Sequence, residues 1–201
     1  MGRVSDAKQR LLDATIDLIW QQSYGAVTVD DICERAGVKK GSFYYFFPSK
    51  TDLVVAALDA HWQAIKVHLD RIFSPDVPPL DRFHQYFQLL YERQAAMKGK
   101  FGRVLGCPFC SVGSETSCSD PMICGKIQEF MSDYHRYFAV AITELQASGL
   151  IKRQDVATQV SAVTAYIHGV LGQARIQNDL ELVRSMEGGT LKLLGVEPAL
   201  A

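Results

Sequence analysis

The sequence predicts an all-α protein of about nine helices, with an N-terminal three-helix domain of helix-turn-helix form and a larger helical domain after it. Almost every apolar segment repeats at helical spacing rather than alternating, and the chain contains no internal repeat or low-complexity tract. With 201 residues and 48% hydrophobic composition, the chain is long enough to bury a substantial core.

The first domain begins with a predicted amphipathic helix over Ser5–Trp20, where charged and apolar side chains interleave. Thr28 can cap the N-terminus of a second helix, and Asp31, three residues later, can complete a capping box. Gly37 then supplies a positive φ that other residues avoid. The chain is therefore expected to turn sharply at Gly37.

A third helix, from about Lys39 to Phe46, is too short to be stable alone, so packing of Val38, Phe43 and Phe46 must hold it. Its other face carries basic, hydroxyl-bearing and glycine residues: Lys39, Lys40, Gly41, Ser42, Tyr44 and Tyr45. From Arg35 to Lys50 the chain has four basic residues and no acidic one. Such a face suits a DNA major groove, because the flanking phosphates attract lysines and the base edges accept hydrogen bonds from hydroxyl groups.

A fourth helix follows at once, because Pro48 ends the third and Ser49 with Asp52 can form a second capping box. Lys50 adds a positive charge to the free backbone amides at that helix N-terminus, which is a second device for binding phosphate. The alternative interpretation is a helical hairpin whose basic residues form only a solvated surface.

The rest of the chain carries apolar stripes that predict five long helices, counting the fourth. They run from Ser49 to about Phe73, around Leu80–Leu90, from Ile123 to Leu145, and twice within residues 155–195. An irregular, cysteine-rich stretch separates the second of these from the third.

Ten of these residues follow the motif T-x-x-x-I-A-x-x-A-G-V-S-x-G-x-x-Y-x-Y-F-x-x-K-x-x-L. They are Thr28, Ile32, Ala36, Gly37, Val38, Gly41, Tyr44, Phe46, Lys50 and Leu53. The chain therefore resembles the TetR/AcrR family of bacterial transcriptional regulators. The resemblance implies a DNA-binding domain over residues 1–48 and an effector-sensing and dimerisation domain over residues 49–201.

The resemblance also assigns roles to single residues. Lys40, Gly41, Ser42 and Tyr44 would face base edges, while Thr28, Tyr45 and Lys50 would hold phosphates. The chain departs from the family at Cys33, where alanine is usual, and at Lys39, which replaces a small hydroxyl cap. Lys39 weakens that cap but adds a charge near the DNA.

The last two helices are apolar or small on more than one face, which predicts a second packing partner. The alternative is a helix pair wholly buried in its own subunit. In the family these helices join two copies in a four-helix bundle, so the resemblance implies a homodimer on a near-palindromic double-stranded operator. It also implies a small-molecule effector, for which Phe87, Tyr134 and Tyr166 are candidate contacts among many core aromatics.

Four of the five cysteines, Cys107, Cys110, Cys118 and Cys124, fall within eighteen residues. If residues 107–118 formed one helix, the first three would share a face. One interpretation is a thiol sensor for oxidants or electrophiles, because a thiol at a helix N-terminus is activated as thiolate. Gly106-Cys107 resembles the electrophile-responsive branch of the family related to the N-ethylmaleimide reductase repressor.

Three other interpretations of the cysteines stay open: a four-thiolate zinc or iron-sulfur site, a catalytic Cys-x2-Cys pair, and simple packing. The spacing fits no common zinc pattern, and a redox Cys-x2-Cys pair works at the end of a strand, which nothing upstream predicts. We therefore assign no metal ion, cofactor or catalytic residue, and expect a regulator, more often repressor than activator, rather than an enzyme. The alternative function is a helical metal-binding or thiol-redox protein.

A net charge of −1 argues against binding nucleic acid with the whole surface, so the basic patch must be local. The N-terminal helix is too charged for a signal peptide, and no apolar stretch approaches the length of a membrane span. A cytoplasmic protein without membrane contact is expected.

Overall fold

The computed structural model describes residues 2–116 and 119–196, with side-chain detail from Asp6 onward. Regular structure over these ranges is entirely helical, which confirms the all-α prediction. The helices are α1 (Gly2–Gln21), α2 (Val29–Ala36), α3 (Lys40–Phe46), α4 (Lys50–Ile72), α5 (Pro79–Phe101), α6 (Pro108–Thr116), α7 (Pro121–Ala147), α8 (Val156–Gln177) and α9 (Leu180–Leu194).

The helices form two compact units. The first contains the described residues of Met1–Lys66 and Pro108–Phe130, and the second those of Val67–Cys107 and Met131–Ala201. Helices α4 and α7 each contribute residues to both units. The predicted boundary after residue 48 separates a DNA-binding part from an effector-sensing part. It is a functional division, unlike these compact units, and it stays a prediction.

In the first unit, α1 packs against α2, α3 and α6. Leu11, Ile32 and Phe43 are completely buried there. Phe47 is also buried, whereas Phe46 is only half-buried. Phe46 therefore packs only in part, and Phe47, where the chain leaves helical geometry, supplies a buried ring that was not predicted.

The cysteine-rich stretch is not irregular throughout, because residues 108–116 form α6. Pro108 occupies the first turn, where a missing N–H costs no hydrogen bond. Glycine suits position 113 because the side chain of Ile127 on α7 packs close to it. A β-carbon on residue 113 would lie 3.1 Å from Cγ2 of Ile127. Tertiary packing therefore holds a helix that the local sequence disfavours.

In the second unit, α9 packs against both α5 and α8. The apolar stripe predicted for α7 is buried along its whole length: Ile123, Ile127, Phe130, Tyr134, Phe138, Ile142 and Leu145. Arg82 of α5 is fully buried and donates to Glu144 at 2.7 Å and to the carbonyl of Val77 at 2.8 Å. Among the described residues, no helix combines the length and apolar character that crossing a bilayer requires.

Candidate functional site

The entry to the helix-turn-helix is set by the predicted capping box. The Thr28 hydroxyl oxygen accepts the Asp31 N–H at 3.2 Å, and the Asp31 carboxylate accepts the Thr28 N–H at 2.8 Å. These hydrogen bonds lower the pKa of Asp31. Gly37 adopts φ 61°, so the predicted turn is also present. Helix α2 therefore begins and ends where the sequence indicates.

Helix α3 presents the face that the sequence assigned to DNA. Tyr44 and Tyr45 are large side chains with 54% and 77% of their surface exposed. Lys39 and Lys40 are exposed, and nothing lies within 4 Å of a β-carbon built on Gly41. Lys39 makes no side-chain cap, as expected from the loss of the usual hydroxyl. Ser42 is half-buried beside them.

Lys40 and Thr28, both predicted to contact DNA, have partners within the protein. Lys40 pairs with Asp30, with 2.8 Å between Nζ and Oδ1, and this pairing raises the pKa of Lys40. Both side chains are more than half exposed, so a phosphate can compete for the ammonium. The Thr28 hydroxyl also donates to Asp31 at 2.6 Å, so it takes part in the cap, and its predicted phosphate contact stays a prediction.

Lys50 binds the loop between α1 and α2. Its ammonium donates to the carbonyls of Tyr24 (2.7 Å) and Val27 (2.8 Å) and lies 4.0 Å from the centre of the Tyr24 ring. Burial lowers the pKa of Lys50, and nearby Glu115 offsets part of that effect. Lys50 thus fixes the loop that precedes α2, and its predicted phosphate contact stays a prediction.

The thiol segment, residues 104–107, is held against α5 and α8 in the second unit. The buried amide of Gln94 accepts the Gly106 N–H at 3.0 Å and donates to the Gly106 carbonyl at 2.9 Å. Arg175 donates to the carbonyl of Leu105, and Asn178 accepts the N–H of Val104. The backbone before Cys107 is therefore fixed by side chains that are distant in the sequence.

Gly106 is required by this arrangement, because it has φ 71° and a β-carbon there would lie 3.2 Å from the Leu171 carbonyl oxygen. Cys107 is half-buried, and its Sγ lies within 4.8 Å of a ring nitrogen of His168. Cys110 is half-buried on α6. Cys118, the third predicted sensor thiol, lies outside the described residues.

The second unit contains a cluster of aromatic and polar side chains that includes His168, the neighbour of Cys107. The hydroxyls of Tyr86 and Tyr134 are 2.5 Å apart, and the Phe87 ring lies 5.1 Å from that of Tyr86. His168 stacks on Tyr134 with 5.6 Å between ring centres. Two of the three predicted effector contacts, Phe87 and Tyr134, are therefore joined through Tyr86.

The third predicted contact, Tyr166, packs against α9 instead. A β-carbon on Gly189 would lie 1.8 Å from the Tyr166 hydroxyl oxygen, so the ring fills the space that Gly189 leaves open. The role of His168 could not be predicted from the sequence, because a histidine on a helix gives no sign of which residues it contacts.

His168 should make the protein less stable in mild acid. Burial, with a smaller contribution from His135, lowers the pKa of His168 to about 4. Between pH 6.5 and 4, His168 is therefore mostly protonated in the unfolded chain and mostly neutral in the folded chain. Stability is expected to fall between about pH 6.5 and 4, by at most about 3 kcal/mol.

The measurement is the free energy of unfolding in denaturant at several pH values. His168→Gln should flatten the slope between pH 6.5 and 4, while His68→Gln, at a half-buried histidine of α4, controls for loss of an imidazole. An unchanged slope in His168→Gln would show that His168 does not titrate as described.

Comparison with known proteins agrees with this geometry. Residues 11–57 match the family described as bacterial regulatory proteins, tetR family. An HTH-type transcriptional regulator from the lacX 3′ region of Lactococcus lactis subsp. lactis is 28% identical over 181 residues, 90% of this chain and 89% of that protein. The HTH-type transcriptional repressor KstR of Mycolicibacterium smegmatis is 32% identical over 100 residues, 50% of this chain and 44% of KstR.

Among solved structures, reduced NemR of Escherichia coli has the same fold, with a TM-score of 0.80 and 21% identity over 97% of this chain and 100% of NemR. The helix-turn-helix, its exposed face and these similarities define the chain as a DNA-binding transcriptional regulator. The tetR-family match over residues 11–57, these relatives and the shared fold support a TetR/AcrR family transcriptional regulator.

Proposed function

We propose that the protein is a homodimeric repressor that leaves its operator when Cys107 is modified or when a small-molecule effector binds. The observation that carries the DNA-binding part is the exposed face of α3, where two large aromatic hydroxyls stand beside two lysines. Base edges with flanking phosphates suit this combination of hydroxyl and ammonium groups.

Repression would be steric. In a dimer, two copies of α3 would enter successive major grooves about 34 to 36 Å apart, one turn of DNA. A signal that changed this spacing would weaken both half-site contacts together. A preference of roughly 3 kcal/mol for the non-binding state would lower affinity by about two orders of magnitude.

Dimerisation is supported by an exposed seam on α8. Small or apolar residues recur along it at alternating spacings of three and four: Ala162, Ala165, Gly169, Gly172 and Ile176. Nothing lies within 4 Å of a β-carbon built on either glycine, and Ile176 is 83% exposed. This spacing suits a second helix at close approach. A second copy of α8 is the occupant that the family implies.

Gly169→Glu should therefore dissociate the dimer and abolish tight operator binding. Glutamate favours a helix more than glycine does, so the isolated subunit should keep its fold, while two buried carboxylates would face each other across the seam. Analytical ultracentrifugation and circular dichroism measure the two properties. Gln85→Glu, at an exposed position of α5, is the matched control. A Gly169→Glu variant that remains dimeric would refute the seam.

Thiol sensing at Cys107 is supported by its partial exposure, its position directly before α6 and the fixed backbone that presents it. The resemblance of Gly106-Cys107 to the electrophile-responsive branch points the same way. Alkylation would join sulfur to one carbon of an activated alkene, with the thiol proton passing to the other carbon. The added group would have to fit between residues already packed on α5 and α8.

A non-covalent effector is the second candidate signal. The cluster of Tyr86, Phe87 and Tyr134 offers aromatic surface and two hydroxyls, which suits a partly apolar molecule with one polar group. Neither signal needs a catalytic residue. The location that we propose is the cytoplasm, where the operator would be found.

The test of the proposed function is DNA binding as a function of salt. A regulator should bind DNA with log Kd rising steeply with log salt, by a slope of about 0.9 for each phosphate neutralised. A helical interaction module would ignore DNA even at low salt. A thiol-redox enzyme would instead turn over a dithiol substrate, and Cys110→Ser would abolish that activity.

A further inference from the structure

Glu115, near the end of α6, binds the loop between α1 and α2 with both carboxylate oxygens. Its Oε2 accepts the N–H of Tyr24 at 2.8 Å, and its Oε1 accepts the N–H of Gly25 at 2.7 Å. Two consecutive backbone N–H groups on one carboxylate form a bidentate contact, and charged acceptors make the stronger hydrogen bonds. The loop and α6 are about ninety residues apart in sequence, so this contact is purely tertiary.

Gly25 fits this contact closely. A β-carbon at this position would lie 2.9 Å from Oε1 of Glu115, closer than real β-carbons approach, so the end of the glutamate side chain would have to shift. Gly25 does not have a positive φ, so its backbone conformation alone does not demand glycine. The approach of the carboxylate is the reason that glycine suits the position.

The same loop is also bound by α4. Lys50 donates to two of its carbonyls, and the Tyr24 hydroxyl is 3.1 Å from that of Thr51. Thr51 in turn donates to Asp120 at 2.8 Å, and Asp120 accepts the N–H groups of Met122 and Ile123 at the start of α7. These polar contacts connect the end of α6 and the start of α7 to the loop.

The loop leads directly into the DNA-binding element. Three residues after Gly25 the chain reaches Thr28, the N-cap of α2, and the turn at Gly37 then places α3. A shift of this loop would therefore also move α2 and the exposed face of α3. Glu115 itself is exposed, so its carboxylate contributes little to the core.

We propose that Glu115 is a positioning residue for DNA binding, which holds the α1–α2 loop so that the helix-turn-helix is oriented for the operator. This inference rests on the proposed function. Helix α6 begins directly after Cys107, so Glu115 also ties the DNA-binding element to the helix that the thiol segment precedes.

The test is a double-mutant cycle with Glu115→Ala, Gly25→Ala and the double variant, read by operator affinity. Glu115→Ala should weaken binding about tenfold because it removes the carboxylate, and Gly25→Ala should weaken binding by a smaller factor because it only displaces the flexible end of Glu115. The double variant should bind like Glu115→Ala alone, since without the carboxylate a β-carbon at residue 25 meets no obstacle.

Two further readouts separate positioning from general damage. Amide hydrogen exchange of Tyr24 and Gly25 should accelerate in Glu115→Ala, and in Glu115→Gln one of the two amides should stay protected, because the side-chain amide retains one acceptor oxygen. Glu129→Ala removes an exposed carboxylate of α7 in the same unit and should bind DNA at least as well as the wild type. Loss of negative charge strengthens DNA binding, so a loss of affinity in Glu115→Ala has the opposite sign to the charge effect.

The inference fails if Glu115→Ala binds like the wild type, or if the two single effects multiply in the double variant. In either case Tyr44→Ala would still lose affinity, so the proposed function would stand. If the wild type shows no operator binding, the proposed function falls and this inference falls with it.

Discussion

Replacing Tyr44 by alanine is expected to weaken operator binding about 100-fold while leaving the dimer and its helicity unchanged. The side chain is 54% exposed on α3, so its removal leaves no cavity in the core. Each copy of Tyr44 is expected to contribute about 1.4 kcal/mol, a factor of ten, and a dimer presents two copies. Fluorescence anisotropy with a labelled operator at fixed salt measures the change.

Tyr44→Phe is the matched control, because it keeps the ring and removes only the hydroxyl. If Tyr44→Phe loses less affinity than Tyr44→Ala, the ring contributes through apolar contact with bases and the hydroxyl contributes through a hydrogen bond. Phe43→Ala, at the completely buried neighbour, should instead unfold the domain, which separates the two faces of α3. Unchanged affinity in Tyr44→Ala would remove α3 from the DNA interface.

Cys107→Ser is expected to keep operator binding and to lose release by thiol reagents. Serine is close to cysteine in size and Cys107 is half-buried, so the segment held by Gln94 should keep its conformation. The wild-type protein should lose at least 100-fold in affinity after treatment with a maleimide or a mild oxidant, and the variant should lose almost none. Mass spectrometry of the treated wild type should find the adduct on Cys107.

Cys124→Ser is the matched control, since Cys124 is also half-buried and lies in the same cysteine-rich stretch. It should release like the wild type. Comparison of Cys110→Ser with both variants reports whether an oxidant acts by a disulfide, which needs a second thiol, or by direct modification. If Cys107→Ser still releases normally, the sensor is elsewhere and a non-covalent effector becomes the working hypothesis.

The helix-turn-helix could be predicted from the sequence because local interactions fix it. The capping box at Thr28 and Asp31 and the turn at Gly37 need only residues a few positions apart, and both are present as predicted. The apolar stripe of α7 was equally readable, because burial on one face produces a periodic sequence.

The site could be predicted only in part, because its remaining contacts join residues far apart in the chain. Helix α6 was missed since its sequence is poor in helix formers and its stability comes from packing, including Gly113 against Ile127. No sequence pattern predicts that Glu115 binds the α1–α2 loop, or that Lys50 also binds that loop. A glutamate near the end of a short helix is ordinary in sequence.

Operator binding that thiol modification abolishes is tested most directly by a binding titration of the purified protein on the DNA upstream of its own gene. The titration is made at physiological salt with excess non-specific competitor, before and after thiol modification. A thiol-responsive dimeric repressor should show saturable binding of one dimer per near-palindromic site, resistant to competitor and lost on modification. Binding no stronger than to the competitor DNA would contradict it.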